Sequence, residues 1–110
     1  MNMEYKGFME NVVTFEAQDD VKKGDLVKVI ESGKVAPCAE GDKICGVCMN
    51  VNSGYAAVQV GGFVNVPVKG NVVTGYVKIA ATGDGKAQTN ENGREVLCVT
   101  TDEGSAGFIL

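Results

Sequence analysis

Apolar residues recur at every second position in short bursts along this chain, and glycine or a short polar residue closes almost every burst. Val58-Gln59-Val60, Val64-Asn65-Val66-Pro67-Val68 and Val77-Lys78-Ile79 show the alternation most clearly. Successive side chains of a β-strand point to opposite faces, so a period of two marks strands with one buried face. Ten such segments are read: Asn11–Ala17, Asp25–Glu31, Lys34–Ala39, Ile44–Val51, Tyr55–Val60, Phe63–Lys69, Tyr76–Ala81, Lys86–Thr89, Glu95–Thr101 and Ala106–Leu110. Between them lie Ser32-Gly33, Gly41-Asp42, Asn52-Ser53-Gly54, Gly61-Gly62, Gly83-Asp84-Gly85 and Asn92-Gly93. These steps supply the positive φ and local hydrogen bonds of tight hairpins. No stretch holds a helical period of useful length; residues 18–24 have room for one helical turn. The pattern predicts an all-β fold, a small antiparallel barrel or sandwich, tulip-like in outline. No internal repeat or linker is evident in the residues. Pro67 lacks an N–H for a ladder, which places it on an edge strand or a bulge.

With 110 residues, one domain is expected. The strands occupy 11–110. Residues 1–10 differ: Met1, Met3, Tyr5, Phe8 and Met9 show no strand period, and a merely solvated tail would be polar. They read as an extended N-terminal arm whose apolar residues seek a partner surface. The formal net charge is −4 and the densest basic run, Lys22-Lys23, abuts Asp19, Asp20 and Asp25. Such a chain repels phosphate backbones, so no nucleic-acid partner is expected. No signal peptide is read at the N-terminus, and no run approaches the roughly 20 apolar residues of a membrane helix. Synthesis in a cytosol, with no membrane partner, is the expectation.

Four cysteines and no histidine bound the chemistry. Cys45-Gly46-Val47-Cys48 has the spacing of half a zinc site or a redox pair. Zinc would need Cys38 and Cys98 as well. The motif lies within a strand-like run, where residues three apart face opposite sides, and no helix follows to lower a thiol pKa. Buried free thiols are the expectation, with no metal and no other cofactor. Gly83-Asp84-Gly85-Lys86 lacks the first Gly and the final Ser or Thr of a phosphate loop, so it reads as a hairpin turn. Asp19, Asp20, Asp25, Glu31, Glu40 and Asp42 fall at turns without a calcium-loop pattern. With no His to serve as base, the chain is not expected to be an enzyme.

The order of short motifs adds a resemblance. Val21-x-x-Gly24-Asp25-Leu26-Val27 precedes Gly33-Lys34-Val35-Ala36-Pro37 and Gly41-Asp42-x-Ile44-Cys45-Gly46-Val47. Val58-x-Val60, Gly62-Phe63-Val64-x-Val66-Pro67-Val68, Gly75-x-Val77, Val96-x-x-Val99 and Gly104 to Leu110 follow. Over residues 11–110 this order resembles the phage capsid cement or head decoration proteins, small Gly-rich β domains of tailed phages and prophages. The cysteines depart from the family's composition, in which Ala or Val is more typical. The resemblance implies a structural virion protein, made in the bacterial host cytoplasm, on the outer capsid surface. It also implies a homotrimer that binds the major capsid protein. Met3, Tyr5, Phe8 and Met9 are then the expected capsid-binding anchors. The alternative reading is a small β-barrel binding module that serves as a tail or host-attachment accessory.

Overall fold

The computed structural model describes residues 11–110, and the described chain is all-β, with ten strands and no helix. These are β1 (Asn11–Ala17), β2 (Leu26–Glu31), β3 (Lys34–Pro37), β4 (Gly46–Asn52), β5 (Tyr55–Gly61), β6 (Phe63–Pro67), β7 (Gly75–Ala81), β8 (Ala87–Thr89), β9 (Arg94–Asp102) and β10 (Ser105–Ile109). All ten expected segments are strands, and residues 18–24 form turns rather than a helical turn. The β4–β5 hairpin shows why the turns fall where they do. Ser53 and Gly54 take φ of 54° and 82°, consecutive left-handed residues between the paired Asn52 and Tyr55, as a two-residue hairpin turn requires. Pro67 ends β6, opposite Ser105.

The first five strands close into a barrel in the order β1-β3-β2-β4-β5. Its ladders are antiparallel except at the closure, where β1 meets β3 in parallel through Glu16–Lys34 and Ala17–Val35. The last five form a sheet in the order β6-β10-β9-β7-β8. That sheet rolls until its outer strands touch: Val68 bridges Ala87 in parallel, and the Lys69 amide donates to Ala87 O at 2.8 Å.

The two halves therefore share one connectivity, a repeat that the sequence reading missed. In each half the first strand pairs with the third and fifth, and the second with the third and fourth. Individual bonds repeat as well. The Gln18 amide donates to Val35 O, as Lys69 does to Ala87 O. The Ala17 amide donates to Gly54 O, and the Val68 amide to Gly104 O. Cys48 pairs with Val58 as Cys98 pairs with Phe108, and the bulge next to each cysteine falls at Met49 and Val99 respectively. Each thiol donates to the carbonyl two residues on, Asn50 O at 3.6 Å and Thr100 O at 3.4 Å.

The cores follow the same plan. Ala17, Val21, Val27, Val35, Cys48, Ala56 and Val58 fill the first barrel. Val68, Val72, Ala87, Cys98, Ala106 and Phe108 stand at the matching places in the second half. The second core is larger because it runs on into Leu26, Cys38 and Ile44 on the outer wall of the first barrel, with Val47 packed against it. Apolar burial at roughly 25 cal/mol per Å² thus stabilises the joint between the halves as well as each interior.

Candidate functional site

The joint is reinforced by polar groups. Arg94, at the start of β9, donates from Nη1 to Cys45 O at 2.8 Å and Ile44 O at 3.2 Å, and from Nη2 to Val60 O at 3.4 Å. All three acceptors are main-chain carbonyls of the first half. Gln59, 2% exposed, donates its amide to Gly61 O and Phe63 O, which fixes the crossing from β5 to β6. The sequence reading singled out neither residue. A charged residue that begins a strand looks solvated until the neighbouring carbonyls are known.

Beside Arg94 opens a cleft of about 560 Å³ lined by Val29, Lys43, Ile44, Cys45, Gly93, Arg94 and Glu95. The guanidinium is already engaged with carbonyls there. The Cys45 thiol is half-buried, and burial pushes its pKa up more than Arg94 lowers it. The arrangement holds the two halves together, and burial leaves the Cys45 thiol less acidic than a free cysteine.

The CxxC motif is split by the fold. Cys45 precedes β4, while Cys48 is sealed in the first barrel; Cys38 and Cys98 lie in the second core. Burial raises all four thiols, Cys38 to about 12. All four are free thiols. Among the described residues, no group of three or more His, Cys, Asp or Glu is placed to hold a metal ion.

Asp42 and Asp84 serve local structure. Asp42 accepts the Ala39 amide at 2.8 Å and the Lys28 ammonium at 2.6 Å. The bond to Asp42 raises Lys28, and the same bond, followed by that from Ala39, lowers Asp42. In the 83–86 turn, Thr82 donates its hydroxyl to Asp84, and this bond holds the carboxyl below its ordinary range. That segment is the β7–β8 hairpin turn, as its sequence indicated.

The remaining candidate is a surface. Tyr76 opposes Leu97, Leu97 opposes Ile109, and Ile109 opposes Phe63. Residues directly opposite in antiparallel ladders share a face, so these four form one row across β7, β9, β10 and β6. The Phe63 ring lies over Gly107, where a Cβ would meet its Cε1 at 2.8 Å. Tyr76 is 76% exposed, and Leu97, Ile109 and Phe63 are partly exposed. The proposed anchors Met3, Tyr5, Phe8 and Met9 lie outside the described residues. No helix among the described residues is long and apolar enough to cross a membrane. No protein-family model matches the sequence, and no curated protein matches it.

Proposed function

We propose that the chain is a capsid decoration or cement protein of a tailed-phage or prophage head, bound to the major capsid protein on the outer surface. The observation that carries this reading is the ordered motif set over residues 11–110 and the place each motif takes in the fold. Gly24-Asp25-Leu26-Val27 leads into β2, Gly33 to Pro37 spans a turn and β3, and Cys45-Gly46-Val47 opens β4. Gly62 to Val68 carries β6, and Gly104 to Leu110 carries the final turn and β10. The resembling residues are thus the framework of both halves. Three buried thiols and the largely exposed Tyr76 suit a protein that works by contact.

In this reading Met3, Tyr5, Phe8 and Met9 anchor the arm to the shell, where an added strand grips through main-chain hydrogen bonds. A modest contact of about 800 Å² per partner holds one copy. Association into a homotrimer multiplies the grip through effective concentration. Preference for the expanded shell stabilises that form by mass action.

The test is to mix the purified protein with expanded capsids that lack it, pellet them and count bound copies. Saturation at a fixed ratio to the major capsid subunit is expected, and deletion of residues 1–10 should abolish binding without unfolding the domain. Failure to bind mature shells would refute the cement reading and leave the tail or host-attachment accessory.

A further inference from the structure

Asn92-Gly93 is the one Asn-Gly step in the sequence, and it immediately precedes Arg94, the residue that fastens the joint. Asn92 is exposed, and its side-chain amide has no hydrogen-bond partner among the described residues. Gly93 carries no Cβ, so nothing of its own shields its amide nitrogen from the Asn92 side chain. Two bonds to Asn90 close the turn. The Asn92 amide donates to Asn90 Oδ1 at 2.8 Å, and the Gly93 amide donates to Asn90 O at 2.9 Å. The central residues of this turn, Glu91 and Asn92, are exposed, and bonds in such a turn open well below the global unfolding free energy. The other side of Gly93 is tight: a Cβ there would overlap the main chain of Ile79. Asn52, in the β4–β5 turn, differs on two counts. Its side-chain oxygen accepts the Ser53 hydroxyl at 3.2 Å, and the residue after it has a Cβ.

We propose that Asn92-Gly93 is a site of spontaneous covalent modification, and that its isoaspartyl product releases Arg94 from the first half. When the turn opens, the Gly93 nitrogen gives its proton to water or hydroxide and bonds to Cγ of Asn92. The bond from Cγ to the side-chain nitrogen breaks, that nitrogen takes up a proton, and ammonia departs from a cyclic imide. One water then opens the ring. Cleavage between Cγ and the Gly93 nitrogen restores the original main chain and leaves aspartate. Cleavage at the main-chain carbonyl of residue 92 leaves isoaspartate, whose main chain runs through Cβ. The sum is one water consumed and one ammonia released, with no redox change. Isoaspartate lengthens the main chain by one carbon immediately before Gly93. Ile79 blocks retreat on one side, so the added length displaces Arg94, whose guanidinium must stay within 2.8–3.4 Å of three carbonyls to hold the joint. The inference stands on the turn and the clamp alone and does not require that the chain decorate a shell.

The test is incubation of the full chain in mildly alkaline buffer, with peptide mass spectrometry and isoaspartyl methyltransferase labelling to locate converted residues. Asn92 is expected to convert ahead of every other asparagine, and faster as pH rises. Asn90→Ala removes the Oδ1 bond that helps to close the turn and should speed conversion about fivefold. Asn92→Gln should stay unmodified. The isoaspartyl fraction, separated by anion exchange, should melt below the untreated protein and near Arg94→Ala. Asn92→Asp carries the new charge without the added carbon, so it should melt as wild type does. An Asn92 that keeps its amide while the guanidinium-unfolded chain loses it under the same conditions would overturn the proposal. So would equally fast conversion at other asparagines, or an isoaspartyl fraction that melts as the untreated protein does.

Discussion

Replacing Arg94 with alanine should loosen the two halves from each other. Its guanidinium contacts three main-chain carbonyls of the first half, of which the bond to Cys45 O is short at 2.8 Å and that to Val60 O long at 3.4 Å. Hydrogen bonds from charged donors contribute about 1.5–3 kcal/mol each when well formed. Only the Cys45 bond qualifies fully; the Ile44 bond at 3.2 Å is intermediate, and the third adds little. The cleft beside Arg94 is open, so water can reach the abandoned carbonyls and reduce the penalty of leaving them unpaired. The expected net loss is about 2–3 kcal/mol, or a melting temperature about 8–15 °C lower for a chain of this size. Urea unfolding followed by far-UV circular dichroism measures it. Arg94→Lys should restore less than about half, because a single ammonium lacks the fork that spans neighbouring acceptors. A loss under about 0.5 kcal/mol, the range of ordinary surface substitutions, would refute the claim that this side chain fastens the joint.

Other outcomes follow from the same structure. Phe108→Ala, at a fully buried side chain, should cost about 3–5 kcal/mol by chemical denaturation. Gly93→Ala should cost about 3 kcal/mol or prevent folding, because a Cβ there would overlap the backbone of Ile79. With a thiol reagent near neutral pH, Cys45 should react first and the other three only on unfolding, since they are buried and Cys45 is partly exposed. Cys38 is raised from 9.0 to about 12, so between those pH values the unfolded chain has lost a proton that the folded chain keeps. Stability should therefore fall as pH rises from 9 to 12, and Cys38→Ala should flatten that decline. Asp42 is lowered, so its contribution is present above pH 3.8 and lost as pH falls through the folded value. Asp42→Asn should reduce the acid sensitivity of the melting temperature.

The strands were legible because their grammar is local. Alternation marks each buried face and Gly marks each turn, so the observed bounds differ from the expected ones by no more than two residues. The repeat was not legible because matching sites exchange volume. Val35 stands where Ala87 does, Val58 where Phe108 does, and Ala17 where Val68 does. A larger residue at one site is balanced by a smaller one elsewhere in the same interior, which preserves burial and erases identity. The usable signal was Cys48, Gly54 and Ala56 set against Cys98, Gly104 and Ala106. As for the joint, alternation says which face of a strand is apolar and nothing about what covers it, so Leu26 and Tyr76 look alike in sequence. The arm anchors rested on composition and on the resemblance, and they lie outside the described residues.

Each half is drawn shut by a parallel contact of one or two residue pairs, while every other ladder is antiparallel. Such a closure joins strands already held on their far sides by antiparallel ladders, β1 by β5, β3 by β2, β6 by β10 and β8 by β7, so it can part while those ladders stay intact. The amides of Gln18 and Lys69, which donate across the two closures, should then exchange with solvent sooner than those in the β4–β5 and β9–β10 ladders. An opened closure also bares the edges of β1, β3, β6 and β8. Mild heat or dilute denaturant should therefore favour exchange of strands between molecules well before the ladders melt, and storage conditions for this protein should be judged by whether those two short closures hold.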